Sequence, residues 1–357
     1  MNGSAAPGAA WILGTMPTPA GEVPRVAVLL TTSDVYGTWA RRIGIGRDDF
    51  RVSPGLYAVG TPTAESVVLV SANYKMSFDR LRSELAGIDA WILVLDTKGI
   101  NVWCAAGKGT FGTDELVLRV KETGLERVVS HRRLVVPQLG APGVSAHEVR
   151  KQCGFGVVYG PVRAADLPRF LSNGMRADAE MRRVRFGLAD RAAVTMVEVA
   201  QGGGYALLIA AVFVLLGGLG ADGFVLDRVL TVGIPEALLV LGAFLGGAVV
   251  TPILLPCIPG RAFALKGAWV GLFGTLGLWW LLVGWPAEGT AMWTLVAWLL
   301  LGSALASFVA MNFTGASTYT SLSGVRKEMR RAVPAQAVAV VAGLALWAVT
   351  RFTGLLG

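Results

Sequence analysis

A chain of 357 residues that is 54% hydrophobic, only 16% charged and of mean hydropathy +0.57 is too apolar to be wholly soluble, since an average soluble domain carries about 25% charged residues. The excess is local: 24 of the 32 Lys and Arg and 19 of the 24 Asp and Glu fall in residues 1–200, leaving an apolar remainder long enough to cross a membrane several times. The net charge of +8 does not point to nucleic acid. Its densest clusters, Arg182, Arg183, Arg185 and Arg191 and then Arg326, Lys327, Arg330 and Arg331, stand just before apolar runs, where the positive-inside bias of membrane proteins puts them.

In chain order, residues 1–50 read as a flexible leader and the edge of a soluble domain; no basic n-region or long apolar core marks a signal peptide. Residues 51–175 alternate short apolar runs with amphipathic stretches, the pattern of βα units on a mostly parallel sheet. The expected elements are a strand at Val67–Ser71, a helix capped by Ser77 and running to Ala86, a buried strand at Trp91–Leu95, and a helix Asp114–Glu122 opened by Thr113. Two short β candidates follow at Arg127–Ser130 and Leu134–Val136. After them come a helix from Ser145 to Gln152, a strand at Val157–Tyr159 and a helix at Ala164–Leu171. A basic linker, 176–203, leads to an all-α membrane domain, 204–357.

Crossing the hydrocarbon takes about 20 apolar residues, and five stretches qualify: Tyr205–Leu219, Ile234–Pro256, Gly267–Trp285, Thr290–Phe313 and Ala332–Thr350. Gly242, Gly246 and Gly247, with Gly302, Ser303 and Ala306, supply small faces for close helix approach. Basic residues in loops 257–266 and 314–331, against Asp222 and Glu288 in the intervening ones, put the soluble half in the cytoplasm. Glu236 reads as lying at the edge of its span. With no ionisable residue expected near a span centre, a transporter lacks its usual support.

Ligands in such sheets bind beyond the carboxyl ends of the strands, which directs attention to the loop from Asp96 to Gly112. Gly107-x-Gly109-x-x-Gly112 fits a dinucleotide fingerprint in letters, but residues 96–106 separate it from the strand, whereas that fingerprint needs its first glycine directly after it. A phosphate loop fails, because Val102 and Gly109 stand where Gly and Ser/Thr are required. What remains is the octapeptide Asn101-Val-Trp-Cys-Ala-Ala-Gly-Lys108. Ala105, Ala106 and Gly107 are small enough to let a large flat ligand approach the backbone. Cys104 offers a metal-binding thiolate, or is a small buried hydrophobe. Asn101 and Lys108 offer hydrogen bonds to amide-rich ligand arms. Cys104, Cys153 and Cys257 are too few and too scattered for an internal iron–sulfur cluster, a four-cysteine zinc site or a disulfide framework, so a reducing compartment is expected.

The octapeptide resembles the signature of the HgcA family, membrane corrinoid proteins of anaerobic microbial mercury methylation, and the layout of a corrinoid domain before five spans is similar too. The likeness begins near Pro54–Gly60, passes Tyr159–Val162 and continues to the chain end. Its corrinoid domain resembles that of the large subunit of the corrinoid iron–sulfur protein, without the cluster cysteines. The resemblance implies a Rossmann-like α/β corrinoid-binding domain with Cys104 as lower axial ligand to cobalt of a base-off, cobalamin-type corrinoid. It implies a methyltransferase passing methyl from cobalt to Hg(II), in the cytoplasmic (inner) membrane. It implies as partners an HgcB-like ferredoxin carrying iron–sulfur clusters and a corrinoid or folate methyl donor system. Carried over by position, Ser71 and Asn73 face the corrin edge, and Thr97, Gly99, Asn101, Val102, Trp103, Cys104, Ala105 and Lys108 form the ligand loop. Leu139, Gly140, Ala141, Pro142 and Gly143 form an opposing wall, or else a plain turn. Cys153 reads as packing, and His131 and His147 as surface groups. A membrane-anchored methyl carrier with another acceptor is the alternative.

Overall fold

The computed structural model describes residues 10–46, 49–285, 289–315 and 322–353. They divide into two compact units, the first reaching Val184 and the second starting at Arg185, with Arg42–Gly44 grouped in the second.

The first unit is a mixed seven-stranded sheet between two layers of helices. Its strands are β1 (Ile12–Thr18), β2 (Gly21–Val26), β3 (Gly55–Val59), β4 (Val67–Ala72), β5 (Ala90–Leu95), β6 (Arg133–Val136) and β7 (Gly156–Tyr159), in the order β1-β2-β3-β5-β4-β6-β7. The helices are α1 (Thr32–Arg42), α2 (Lys75–Ser83), α3 (Val102–Lys108), α4 (Thr113–Glu122), α5 (Leu125–Val128), α6 (Ala146–Cys153) and α7 (Leu167–Ser172). Every residue of β5 is buried, as a central strand covered on both faces requires. Its period-2 alternation sends Trp91, Leu93 and Leu95 into the core with α3 to α6, and Ala90, Ile92 and Val94 into the core with α2 and α7.

Three expectations are corrected here. The leader, from residue 12 on, is an antiparallel hairpin and a helix; Pro17 and Pro24 masked the strands. β1 is an edge strand, and β3 pairs only with Arg25 and Val26, so Pro24 interrupts no ladder on that side. The sheet is mostly parallel as expected, with antiparallel pairs at β1 with β2 and β3 with β5, because the chain passes from β1 to β2 and from β3 to β4 without a helix. Ser77 is no cap: α2 begins at Lys75, drawn in by the ion cluster described next. Arg127–Ser130 is not a strand, since Leu125 and Val128 bury one face of a single helical turn; periodicity does not separate the two in so short an apolar run.

α1 and α2 are joined by buried charges. Lys75 Nζ lies 2.7 Å from Asp34 Oδ1 and 2.6 Å from Asp79 Oδ2, while Arg82 donates from Nη2 to Asp34 Oδ2 at 2.7 Å and from Nε to Asp79 Oδ1 at 2.8 Å. Arg82 is wholly buried and also reaches the carbonyls of Ala27 and Leu29. Two carboxylates against two cations leave no net charge inside, and the groups are multiply hydrogen bonded, which is the condition for burying charge at acceptable cost.

The second unit contains five helices long and apolar enough to cross a membrane: Leu188–Gly217, Leu226–Ile253, Phe263–Leu282, Thr290–Met311 and Gly324–Phe352. The expected basic linker is therefore helical from Leu188, and the basic cluster 326–331 lies on the fifth helix, which starts at Leu322. Glu236 is inside, not at an edge. Its helix starts at Leu226 and passes through a π-turn at Val229–Gly233, so Glu236 is buried and accepts from Trp347 Nε1 at 2.7 Å. Lys266, expected in a loop, is buried and donates to the carbonyls of Leu255 and Ile258 past the end of the second helix. The small faces have the expected use: a Cβ on Gly247 would stand 2.7 Å from the Ala306 carbonyl. Glu288 and residues 316–321, in two of the expected loops, lie outside the described residues.

Burial alone would raise the Asp34 carboxyl, but the Lys75 hydrogen bond and charge and the Thr31 N–H outweigh it and hold it well below the usual carboxylate range. A group depressed in the folded state stabilises above its unfolded value of about 4 and loses that stabilisation as pH falls below it. Asp34→Asn should therefore cost about 3 kcal/mol at neutral pH and flatten the acid limb of the stability profile. Hydrogen exchange of α1 and α2 between pH 7 and pH 3 measures both effects.

Candidate functional site

The chain leaves β4 through α2 to reach β5 on one side, and leaves β6 through α6 to reach β7 on the other. Neighbouring strands with diverging exits make a topological switch point, where a crevice opens beyond the carboxyl ends. β4 and β6 share a single registered pair, Leu69 with Val135, and beyond it lies a cavity of ≈ 420 Å³. Ser71 of β4 lines it, with Asn101, Val102 and Trp103 from the start of α3, Leu139 after β6, and Gly160 to Ala164 after β7. Tyr74, Met76, Ser77 and Arg80 also line it.

One side chain sets the shape of the loop that leads into α3. Asn73, 3% exposed, accepts through Oδ1 from the backbone N–H of Thr97 at 3.1 Å and of Gly99 at 2.9 Å, and donates through Nδ2 to Asp96 Oδ1 at 3.1 Å. The fully buried Thr97 hydroxyl lies 2.6 Å from the Ile100 carbonyl. Lys98 and Gly99 both take positive φ, at 59° and 73°, and the loop turns there. Asp96 is pushed up by burial, but hydrogen bonds and charge from Lys98 hold it below its ordinary value. Its backbone N–H donates to Glu115 Oε1 at 2.7 Å, tying the loop to α4.

The octapeptide, expected as loop, is mostly helix. Asn101 caps it, its Oδ1 accepting from Cys104 N at 2.9 Å, and Gly109 ends it with φ 80°. Ala105 and Ala106 are buried against the sheet, whereas Trp103, Cys104, Gly107 and Lys108 are exposed. Cys104 and Lys108, four residues apart, share one outward face. From behind, the 138–143 turn supports the helix. Gly140 lies so close to the buried Phe111 ring that a Cβ would come within 2.4 Å, and one on Gly143 would meet the Phe111 carbonyl at 2.1 Å. Gly140 is buried beneath α3 and Ala141 is half-buried in the same turn.

The residues expected at the site thus fall into three sets. Ser71, Asn101, Val102 and Trp103 line the crevice; Asn73, Thr97, Gly99, Ala105 and Gly140 build its support; Cys104 and Lys108 stand on the outward face of α3. Cys153 packs against the core and donates to the Val149 carbonyl at 3.2 Å. His147 is exposed, while half-buried His131 holds the Ser66 carbonyl through Nε2 at 2.9 Å. The α2 contribution and the segment after β7 were missed. The carboxyl-end rule, applied to β4 and β7 as it was to β5, would have pointed to both.

Asn73→Asp preserves shape and the Oδ1 acceptor but sets a carboxylate oxygen against Asp96. The loss of a buried donor and the new repulsion should cost about 1–3 kcal/mol. The cost should appear as faster hydrogen exchange across 96–101, with β1 and β2 unaffected.

Residues 45–170, within the first unit, match the CdhD family model, described as CO dehydrogenase/acetyl-CoA synthase delta subunit. The chain is 35% identical over 127 residues to the acetyl-CoA decarbonylase/synthase complex subunit gamma of Methanopyrus kandleri, and 31% identical over 127 residues to that of Archaeoglobus fulgidus. It is also 31% identical over 129 residues to that of Methanosarcina acetivorans. Each stretch covers 35% of this chain and 27% of the relative, so the chain spans about a quarter of the length of these relatives. The five membrane-length helices lie beyond the matched residues.

Proposed function

We propose that this chain is a membrane-bound, corrinoid-dependent methyltransferase that passes a methyl group to Hg(II), forming methylmercury, and that the Cys104 thiolate would hold the corrinoid's cobalt. The observation that carries the reading is the outward face of α3. Cys104 is exposed there, and Gly107 beside it serves no packing purpose: a Cβ on Gly107 would meet nothing within 4 Å. A glycine inside a helix costs about 1 kcal/mol against alanine, a cost the fold does not require and open space for a broad flat ligand explains. Gly140 and Gly143, by contrast, are required by their neighbours.

The donor set fits the group. A thiolate is a soft metal ligand, and a bound corrinoid would supply the methyl group that goes to an electrophile such as Hg(II). The chain's own residues do the positioning. Asn101 fixes the first turn of α3 and with it the direction of Cys104. Asn73 fixes the approach to Asn101. Ser71 and the backbone at the crevice offer hydrogen bonds to amide arms, and Leu69, Val135, Leu139 and Leu167 give the crevice apolar walls that exclude water. Lys108, one turn from Cys104, supplies a cation and donor on the same face.

The three cysteines are free and lie apart, Cys104 in α3, Cys153 at the end of α6 and Cys257 in the turn after Ile253, so reducing equivalents come from a partner with iron–sulfur clusters, an HgcB-like ferredoxin. The methyl group comes from a corrinoid or folate donor system. Basic residues at 182–191 and 326–331 support an inner-membrane protein whose first unit faces the cytoplasm. A second reading has its own support. The relatives are named as subunits of acetyl-CoA decarbonylase/synthase complexes, which favours a tethered methyl carrier with an acceptor other than mercury.

Two substitutions test the assignment in the full-length protein. Cys104→Ala should keep the fold and reduce mercury methylation at least a hundredfold, with a changed absorbance of the bound corrinoid. Gly107→Leu should leave the apoprotein at least as stable, because the space is open, yet reduce corrinoid uptake about tenfold or more. Wild-type spectrum and turnover in Cys104→Ala contradict the ligand role. An altered spectrum in a protein whose wild type never methylates mercury selects the second reading.

A further inference from the structure

A second cavity, ≈ 600 Å³, opens among the third, fourth and fifth membrane-length helices and is independent of the corrinoid reading. Its two ends differ in chemistry. At one end stand Arg261, Lys327 and Arg331, opposed by Glu328, whose Oε1 already accepts from the backbone N–H of Ala264 at 2.7 Å. From Lys327 to Ala339 the fifth helix then presents a stripe facing the cavity, about 18 Å long at 1.5 Å per residue. Ala268 and Ala304 line the same apolar region.

The interior retains unmet polar demand. Gln336 is 8% exposed and donates through Nε2 to Ser307 Oγ at 2.8 Å, leaving its Oε1 buried with no partner. Turning the amide over exchanges the two atoms but leaves one polar atom unpaired either way. The Ser303 hydroxyl, also lining the cavity, is likewise buried without a partner. Buried polar atoms that remain unpaired cost free energy, so a stripe of alanines with such groups in its wall is better explained by an occupant than by helix packing.

We propose that this cavity holds one anionic phospholipid of the surrounding bilayer, its phosphate at Arg261, Lys327 and Arg331 and an acyl chain along the alanine stripe. The charge balance selects the headgroup. Three cations face one carboxylate that is already engaged, and basic pockets between membrane helices hold anionic headgroups. The glycerol and ester oxygens of such a lipid lie between headgroup and chain, at the depth where Ser303 and Gln336 have unused hydrogen-bonding capacity.

Native mass spectrometry of the full-length protein in detergent, titrated with phosphatidylglycerol or phosphatidylcholine of identical chains, tests this. One phosphatidylglycerol should be retained about tenfold more tightly than phosphatidylcholine. Each basic residue near a membrane surface is worth about a fivefold effect, so the double variant K327Q/R331Q should abolish the preference. Ala335→Leu, which keeps every charge but fills the groove, should weaken retention of both lipids. Equal retention of the two lipids by the wild-type protein overturns the proposal without any variant. A preference that survives K327Q/R331Q overturns it as well, by showing that the headgroup binds elsewhere.

Discussion

The carboxamide of Asn73 ties together three parts of the chain: the end of β4, the left-handed turn at Lys98–Gly99, and, through Asp96, the edge of α4. A buried amide that fills these bonds is expensive to replace, because a substitute without the acceptor leaves backbone N–H groups unpaired in a dry interior and one without the donor leaves Asp96 unmatched. α3 starts at Val102, three residues after this turn, so its position and the direction in which Cys104 faces depend on the amide. The parting of β4 and β6 supplies the crevice, and the Asn73 brace delivers α3 to its rim.

Two different glycine roles occur around α3. Gly140 and Gly143 are small because Phe111 and Ala106 occupy the space a side chain would take, and they fix α3 from behind. Gly107 is small with empty space in front of it. The first kind is explained by the fold alone and the second is not. The same contrast applies to Asn101, whose hydrogen bond to Cys104 N is spent on capping, while the exposed Cys104 side chain has no structural duty among the described residues.

Much of this organisation was legible in the sequence because it rests on periodicity. Val67–Ser71 and Trp91–Leu95 are buried strands as read, and five apolar stretches correspond to five helices. What was not legible depends on distant partners. The strands at 12–26 carry prolines and weak alternation, and are stabilised as an edge hairpin by a sheet the local sequence does not announce. Asn73 and Thr97 were placed at the ligand by the family resemblance alone; that they also brace the loop depends on hydrogen bonds between residues 24 positions apart. Gly140 gave no sign in sequence that its neighbour is Phe111. Glu236 was read at an edge because the π-turn that extends its helix has no simple local signature.

The central claim is a bond between the Cys104 sulfur and cobalt, and X-ray absorption at the cobalt edge of the full-length protein loaded with a corrinoid examines that bond directly. Wild-type protein should show one sulfur scatterer in the first coordination shell of cobalt, and Cys104→Ala should lose it while Cys153→Ala and Cys257→Ala keep it. A first shell of nitrogen and oxygen alone in the wild-type protein, or a sulfur scatterer that persists in Cys104→Ala, would contradict the assignment.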